Sequence, residues 1–397
     1  MGNQRSGPKV ITIVFAAFGV FALGVGVGNG KISVKDNTFN GSIQKNSSEN
    51  LDYSTVETLY DSLRENFDGQ LENDKIITGL KEGLISASGD QYTEYLTPDE
   101  SKDFNEGLSG SFTGIGAELG KDPNGNIQVI SPIAGFPAEK SGLKPKDVIA
   151  EIDGKSTAGI SIGDAVKNIR GEANTEVKLR IIRNSTEDIS FTITRAQITI
   201  ASVKHSVKEG NIGYIQISRF SEDTDRLIEQ AAQDLKSQNV KGIVLDLRNN
   251  PGGLLESAVT VSSLWLEKNA VVLQEKRDDK LVKTFKADGS NLLGGVPTIV
   301  LINEGSASAS EIVAGALSDN KQAKLYGQKT YGKGSVQQLI ELNDGGVLKV
   351  TIAKWFTPAG VNINKEGINP DKEVTLSDDD IKNLRDPQLD AALIDLR

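Results

Sequence analysis

The sequence contains no cysteine, and this absence removes several kinds of chemistry. Without thiols the chain forms no disulfide, holds no cysteine-based zinc site and has no thiol nucleophile. There is also a single histidine, His205, which excludes a multi-histidine metal site and leaves one candidate for a Ser-His-Asp triad. His205 lies in the polar stretch Ser-Val-Lys-His-Ser-Val-Lys, so we interpret it as a surface or strand residue. The sequence predicts neither a metal nor another cofactor.

Positive charge is also scarce in this chain. Its 44 Lys and Arg residues face 54 Asp and Glu residues, which gives a formal net charge of −10. Because phosphate binding requires a concentrated basic surface, nucleic acid is not an expected partner. The hydrophobic content of 37% and charged content of 25% are typical of globular proteins, and 397 residues allow two or three domains.

One long apolar run stands near the N-terminus. It extends from Val10 to Gly28, which is long enough to cross the hydrocarbon core of a bilayer. Arg5 and Lys9 precede it without acidic residues, which favours a cytoplasmic N-terminus and export of the remainder. An uncleaved anchor is preferred to a cleaved signal peptide, because no clear small-residue cleavage site follows the run. We therefore predict a single-pass protein of the cell membrane with its catalytic part in the periplasm or outside the cell. The predicted segments are a cytoplasmic N-terminus (1–8), a transmembrane signal anchor (9–28) and a linker (29–50).

The chain after the linker changes from a helical to a stranded pattern. Apolar residues recur at helical spacing in residues 51–108, which are predicted as a helical N-terminal segment. From Gly110 to Arg195, short alternating strands surround two short helices, near Ala138 and at 162–169. This pattern indicates a compact half-barrel.

The second half alternates strands and helices. Two apolar strands, 241–248 and 298–303, are each followed by a helical run. Continuous apolar strands separated by helices indicate a parallel sheet that is covered on its faces. The Asn-Asp-Gly-Gly turn at 343–346 predicts a hairpin, and residues 377–397 are predicted as one amphipathic helix.

A serine cluster lies where the second apolar strand ends. Ser306, Ser308 and Ser310 alternate with alanines at the start of an Ala-rich helix. A serine at such a junction presents its hydroxyl beside the free backbone N–H groups and partial positive charge of a helix N-terminus. This pattern suits a nucleophile, although a cluster of N-capping serines would look the same.

A nucleophilic serine needs a base, and no plausible histidine is present. A lysine can serve if burial or a nearby cation lowers its pKa from about 10.4. Lys333 stands between two glycines just ahead of a strand, where the backbone can approach another element closely, although a surface-turn lysine is the ordinary alternative. Gly252 and Gly253 follow the first apolar strand, and they indicate either an oxyanion hole or a simple Pro-Gly turn.

Several motifs together resemble one family. Gly-Ser-Ala-Ser-Ala-Ser-Glu-Ile-Val-Ala-Gly-Ala-Leu, with Tyr-Gly-Lys-Gly downstream and Arg-Asn-Asn-Pro-Gly-Gly upstream, is similar to the motifs of C-terminal processing peptidases, also called tail-specific proteases. Gln91-Tyr-Thr-Glu-Tyr-Leu-Thr-Pro resembles the signature ahead of that family's PDZ domain, and Gly110-Ser-Phe-Thr-Gly-Ile-Gly-Ala resembles the beginning of that domain. The motifs occur in the family's order over roughly residues 50–375.

The resemblance implies a fold and a reaction. The expected fold is α/β, with a crotonase-like βαβ peptidase core at 196–376, an inserted PDZ domain at 109–195 and a C-terminal helix at 377–397. The expected activity is that of a serine endopeptidase that cleaves proteins near their C-termini. The implied catalytic groups are Ser308 as nucleophile, Lys333 as base, Gln337 to orient the lysine amine, and the backbone N–H groups of Ala309 and of Gly252 or Gly253 as oxyanion donors.

The implied PDZ domain suggests how substrates are chosen. Backbone N–H groups of Gly114, Ile115 and Gly116 would bind a terminal carboxylate, and an exposed strand edge would pair with the substrate tail. The expected partners are proteins with apolar C-terminal tails, together with the membrane through the N-terminal helix. Arg170 is a candidate for coupling this domain to the peptidase core. Homo-oligomerisation is left open.

Two other interpretations fit part of the sequence. A β-lactamase or penicillin-binding protein also combines serine and lysine, and Ser141-Gly-Leu-Lys144 fits its first motif, but the Lys-Thr-Gly motif is missing. The alternative of a different class is a membrane-anchored PDZ scaffold whose inactive peptidase domain only binds tails. The complete set of Ser308, Lys333 and Gln337 argues against it, because tail binding requires none of these side chains.

Overall fold

The computed structural model describes residues 52–397, apart from the side chains of Asp378 and Ile381. The predicted cytoplasmic N-terminus, membrane anchor and linker lie outside these residues. Within the described part, no helix is both long and apolar enough to cross a bilayer. This part divides into two units, residues 52–72 and residues 73–397. The first contains helix α1 (Ser54–Asn66), within the segment predicted to be helical.

The second unit begins with two helices and a short strand. These are α2 (Asn73–Ser86), β1 (Glu94–Leu96) and α3 (Pro98–Ser109). Thr97 caps α3 by accepting a hydrogen bond from the backbone of Glu100, whose carboxylate accepts one from the N–H of Thr97. Gly110 ends α3 in the left-handed conformation, with φ of 69°.

An antiparallel sheet follows, as the alternating pattern predicted. Its strands run in the order β3-β4-β5-β7-β8, with β6 on β5, while β2 and β9 form a separate ladder. Because β3 stands at the end of this order, one of its edges faces no other strand of the sheet. The elements are β2 (Ser111–Gly114), β3 (Ala117–Lys121), β4 (Ile127–Pro132), α4 (Pro137–Lys140), β5 (Val148–Ile152), β6 (Lys155–Ser156), α5 (Ile162–Ile169), β7 (Glu176–Arg183), β8 (Glu187–Thr194) and β9 (Ala196–Thr199).

The next part is built on a six-stranded sheet in the order β10-β11-β12-β15-β16-β19. Its strands are parallel except at the β10–β11 pair. Every residue of β12 and β15 is buried, which confirms the covered parallel sheet expected from the apolar runs. The elements are β10 (Val203–Lys208), β11 (Ile212–Ile217), α6 (Thr224–Ser237), β12 (Gly242–Asp246), α7 (Leu255–Ser263), β13 (Val271–Arg277), β14 (Lys280–Lys286), β15 (Thr298–Ile302), α8 (Ala309–Asp319), β16 (Ala323–Gly327), β17 (Ser335–Glu341), β18 (Val347–Phe356) and β19 (Lys372–Glu373).

A second sheet carries the predicted hairpin, which is confirmed as β17 and β18. Strand β18 also pairs with β13 and with β1, so the strand that precedes α3 is joined to the hairpin. The register places Glu94 opposite Lys349. Residues far apart in the sequence therefore lie side by side next to the loop that carries Lys333.

The C-terminal segment differs from the prediction. Residues 377–397 form two short helices, α9 (Asp378–Lys382) and α10 (Pro387–Asp395), so the single predicted helix was wrong. Leu384 between them has a φ of 54°, which a helix does not tolerate. Asp386 then starts a new helix, because its side chain accepts the N–H of Leu389 and Pro387 occupies the first helical position.

Candidate active site

Three neighbouring parallel strands bring the predicted motifs together. Strands β12, β15 and β16 lie side by side in the sheet. The loop with Gly252 and Gly253 follows β12, the serine cluster follows β15, and the loop with Lys333 follows β16. Since carboxyl ends of parallel strands meet at one edge of a sheet, all three loops face the same crevice.

Ser308 stands at the turn from β15 into α8. Its backbone has φ of 53° and ψ of −114°, a strained conformation for a residue with a side chain. Its N–H donates to Oε2 of Glu311 at 2.9 Å, and its side chain is partly exposed. In residues 52–397 we find no hydrogen bond donated by the Ser308 hydroxyl. The strained turn presents this hydroxyl immediately ahead of the N-terminus of α8.

The two neighbouring serines have structural roles. Both Ser306 and Ser310 have exposures of 0%. The Ser306 hydroxyl donates to the carbonyl of Leu247 at 2.8 Å, and the Ser310 hydroxyl donates to the carbonyl of Asn250 at 2.9 Å. Both serines thus fasten the helix start to the loop after β12. Of the three serines, Ser308 alone is open to a substrate.

Glu311 is a buried carboxylate that joins the serine turn to the lysine loop. Its side chain has 0% exposure and accepts four hydrogen bonds. Burial raises the pKa of Glu311, and the hydrogen bonds partly oppose this rise. Oxygen Oε2 accepts the N–H groups of Ser308 and Lys333, each at 2.9 Å, and Oε1 accepts the Thr330 hydroxyl at 2.5 Å and the Gly332 N–H at 2.7 Å.

Lys333 is held at its backbone while its amine stays free of ion pairs within the described chain. Its carbonyl accepts the indole N–H of Trp355 at 2.9 Å. Burial lowers the pKa of Lys333, and the positive charge of Lys349 lowers it further, whereas Glu94 and Glu311 act weakly in the opposite direction. Its Nζ lies 5.4 Å from the ring centre of Tyr92. The pKa of Lys333 is therefore shifted in the direction that a neutral lysine base requires.

The glycines beside Lys333 allow a close approach, as the sequence suggested. A Cβ on Gly332 would lie 2.8 Å from the backbone N of Gly367, and one on Gly334 would lie 2.6 Å from the backbone N of Asn364. Any larger residue at either position would displace the loop.

Gln337 contacts a group other than the expected one. Its side-chain amide donates to the backbone carbonyl of Tyr92. Between residues 52 and 397 no hydrogen bond joins Gln337 to the Lys333 amine. The side chain implied to orient the lysine is thus fixed to the segment that precedes α3.

The two candidate oxyanion glycines in the loop after β12 differ in the hydrogen bonding of their N–H groups. The Gly252 N–H donates to the side chain of Asn250 at 2.9 Å, so it is already used. No acceptor for the N–H groups of Gly253 and Ala309 is found in the described chain. A Cβ on Gly252 would lie 2.8 Å from the Cβ of Ser308, which shows how closely this loop approaches the candidate nucleophile. The arrangement favours Ala309 and Gly253 as the paired donors.

The candidate carboxylate loop of the PDZ region is anchored through its carbonyls. Ile115 accepts the N–H of Ala138 at 2.7 Å, and Gly116 accepts the N–H of Ile133 at 2.8 Å. Gly114 ends β2 and Gly116 leads into the edge strand β3. The structure therefore places these predicted residues at the start of a strand with one open edge.

Arg170 connects the PDZ region to α3. Its guanidinium lies 3.1 Å from Asp103, 3.3 Å from Glu106 and 4.8 Å from the ring centre of Phe112. The Gly107 carbonyl of α3 in turn accepts a hydrogen bond of 2.8 Å from the guanidinium of Arg219, which lies in the peptidase part. A chain of contacts thus leads from Arg170 through α3 toward the core.

His205 lies on β10, as the sequence suggested. Its Nε2 is 3.2 Å from a carboxylate oxygen of Asp234 on α6, which makes an exposed cross-element contact.

Some residues around the site could not be singled out from the sequence. The sequence analysis did not assign Glu311 the role of a shared hydrogen-bond acceptor. A signal for this role was present, because an acidic residue stands among small and apolar residues at the helix start. Tyr92 belongs to the motif Gln91-Tyr-Thr-Glu-Tyr-Leu-Thr-Pro, and nothing in the sequence places it beside Lys333. Asn250 was also missed, and it is fully buried within the loop after β12.

Comparison with known proteins identifies the family of the chain. Residues 211–374 match the model of peptidase family S41, and residues 105–182 match that of the PDZ domain. The chain is 38% identical over 326 residues to the carboxy-terminal processing protease CtpA of Bacillus subtilis (strain 168), which covers 82% of this chain and 70% of the relative. It is 41% identical over 328 residues to "Probable CtpA-like serine protease" of Staphylococcus aureus (strain MSSA476), covering 82% of this chain and 65%, just under two thirds, of that relative.

A solved structure gives the same result. The photosystem II D1 C-terminal processing protease superposes with a TM-score of 0.51 at 30% identity, covering 80% of this chain and 86% of that one. The chain therefore belongs to peptidase family S41. It is a serine-type peptidase with a PDZ domain.

Proposed function

We propose that the chain is an endopeptidase that cleaves proteins near their C-termini with Ser308 and Lys333 as its catalytic pair. The main support is the shared acceptor Glu311, which holds the backbones of both residues at one oxygen. The burial of Ser306 and Ser310 is further support, because it leaves Ser308 as the accessible serine of the cluster. The names of the relatives agree with this reaction.

The proposed reaction begins with the neutral amine of Lys333. It takes the hydroxyl proton of Ser308 as Oγ bonds to the scissile carbonyl carbon, and the carbonyl π electrons move to its oxygen. The N–H groups of Ala309 and Gly253 stabilise the resulting oxyanion. As the intermediate collapses, the C–N bond breaks and the ammonium of Lys333 returns a proton to the leaving amine. Water then hydrolyses the acyl-enzyme, with Lys333 again as base.

Substrate selection is proposed to occur at the PDZ domain. A C-terminal tail would extend the sheet at the open edge of β3, with its carboxylate at the backbone of Gly114, Ile115 and Gly116. Apolar terminal side chains would be preferred, since their burial against this domain removes apolar surface from water. The contacts of Arg170 with Asp103 and Glu106 support a role in coupling tail binding to the core through α3.

The proposal also includes the fold of the peptidase core and the attachment to the membrane. The parallel βαβ order of β11, β12, β15 and β16, which delivers all catalytic loops to one edge, supports a crotonase-like core. The apolar run from Val10 to Gly28 with Arg5 and Lys9 ahead of it supports a single-pass anchor and an extracytoplasmic catalytic part. Fractionation of cells that express the full chain, with protease added outside, tests both the attachment and the side of the membrane.

Cleavage of a tail substrate tests the function. The full chain in detergent is incubated with an unstructured protein whose last residues are apolar, and with the same protein ending in acidic residues. We expect cleavage of the first substrate and a loss of at least about 10³-fold in the variant Ser308→Ala. The matched control Ser310→Ala should keep its activity while losing about 1 kcal/mol of stability.

The outcome also separates the enzyme from a scaffold. Tail binding by Ser308→Ala without cleavage supports the proposed reaction. If the wild-type chain bound the apolar tail but never cut it, the inactive scaffold would be the better account.

A further inference from the structure

Tyr92 lies against the Lys333 amine although it belongs to a distant segment. The Lys333 Nζ is 5.4 Å from the centre of its ring, within the range of a cation–π contact. Tyr92 is partly buried, and it stands between the end of α2 and β1, far from the peptidase loops in sequence. No part of the catalytic scheme above uses it.

The backbone around Tyr92 is fastened to the hairpin that follows Lys333. The Gln337 amide, on β17, donates to the Tyr92 carbonyl. The hydroxyl of Thr93 accepts the backbone N–H of Thr351 on β18 at 3.1 Å. Beyond it, β1 pairs with β18. These contacts hold the backbone that carries Tyr92 in place relative to the lysine loop.

We propose that Tyr92 is a positioning residue that covers the Lys333 amine and excludes water from it, and that Gln337 acts on the lysine through the Tyr92 carbonyl. This inference rests on the proposed function, because it concerns the base of that reaction. It explains why a glutamine expected near the amine is bonded instead to the segment that shields it.

The ring acts on the amine in two opposing ways. By displacing water it disfavours the ammonium form, whereas the negative face of the ring attracts the ammonium. Burial is the largest cause of the lowered pKa of Lys333, and Tyr92 is one of the side chains that lie against its amine. The charged groups that face Lys333 are Lys349, Glu94 and Glu311, and the titratable groups that face Tyr92 are Tyr331, Glu311 and Asp90.

Three substitutions at Tyr92 separate the effect of excluding water from the effect of the aromatic ring. Tyr92→Phe keeps both, Tyr92→Leu keeps an apolar cover without the ring, and Tyr92→Ala keeps neither. In the full chain, kcat/KM for the tail substrate is measured against pH. We expect Phe to leave the rise of activity at its wild-type pH, Leu to leave it there or move it slightly downward because the attraction of the ring for the ammonium is lost, and Ala to move it upward by about one pH unit. At a pH below the rise in both proteins this lowers kcat/KM about tenfold, because the neutral fraction of the amine there falls tenfold for each unit by which the pKa increases.

Tyr95 supplies a matched control on the same segment. It is also half-buried, but its hydroxyl contacts Lys81 and Asp344, at 3.0 and 2.9 Å, instead of the site. Tyr95→Ala should lower stability without moving the pH profile. An unmoved profile in Tyr92→Ala, an equal shift in Tyr95→Ala, or a shift in Tyr92→Leu as large as in Tyr92→Ala would overturn the inference.

A further variant keeps this inference distinct from the proposed function. If Lys333→Ala retained full activity, the catalytic scheme itself would fail. If Lys333→Ala were inactive and Tyr92→Ala kept the wild-type profile, only the part assigned to Tyr92 would fall.

Discussion

The backbone N–H groups of Ser308 and Lys333 donate to the same carboxylate oxygen, Oε2 of Glu311, each at 2.9 Å. One buried side chain therefore sets the spacing between the helix start that carries the hydroxyl and the loop that carries the amine. Such a link makes the relative position of the two proposed reacting groups depend on a residue outside the proposed catalytic pair.

Replacing this shared acceptor should lower the rate more than the binding of substrate. In Glu311→Gln the amide NH₂ group cannot accept two of the four hydrogen bonds, and in either orientation it turns a donor toward an N–H group of the lysine loop. We expect kcat to fall about 10²-fold with little change in KM, since small displacements of reacting groups have effects of this size. Steady-state kinetics checks this, with the exposed Glu304→Gln in the same turn as the control. A normal kcat in Glu311→Gln would contradict the positioning role.

The oxyanion loop should not tolerate a methyl group at Gly253. Its φ is 143°, and a Cβ there would lie 1.9 Å from the carbonyl oxygen of Phe220. The loop must therefore move, and we expect Gly253→Ala to lower kcat by about 10²- to 10³-fold through loss of an oxyanion donor. Gly295→Ala is the control, because its φ is also positive, 76°, but a Cβ meets nothing within 4 Å. Activity that survives in Gly253→Ala would assign the donor elsewhere.

The C-terminal helix α10 should stabilise the chain in a pH-dependent manner. Asp386 accepts two hydrogen bonds of 2.8 Å from the Arg248 guanidinium, directly ahead of the oxyanion loop. Burial acts to raise the pKa of Asp386, but Arg248 and the Leu389 N–H outweigh it and hold this pKa below its usual value. A lowered carboxyl pKa contributes stability above the unfolded pKa, about 3.9, and loses it as the pH falls through the folded pKa.

Substitution of Asp386 tests this contact. We expect Asp386→Asn to lower the free energy of unfolding by about 1–2 kcal/mol at neutral pH, less than for a fully buried pair because Asp386 is partly exposed. Denaturant unfolding at neutral pH and at about pH 3 measures it. The difference between variant and wild type should shrink at the lower pH, and a difference that stayed constant would contradict the assigned cause.

Local patterns predicted the candidate reacting groups, whereas long-range contacts decided their surroundings. Apolar runs predicted the strands β12 and β15, and the small residues after them predicted the serine and glycine loops. The choice between Gly252 and Gly253 depended on the side chain of Asn250, which no pattern reveals. The placement of Tyr92 depended on the pairing of β1 with β18, a register between segments that are far apart in sequence. Pro387 signalled the break in the C-terminal helix, but the prediction of a single helix followed the amphipathic pattern instead.

The most direct test of a neutral Lys333 as the base for Ser308 is the pH dependence of kcat/KM. It is measured on the full chain carrying His205→Gln, which contains no histidine. Because only the uncharged amine accepts a proton, kcat/KM should rise tenfold per pH unit and level off at a pH below about 10.4, the ordinary lysine value. A rate that stayed flat from about pH 5 to about pH 10 would contradict the account.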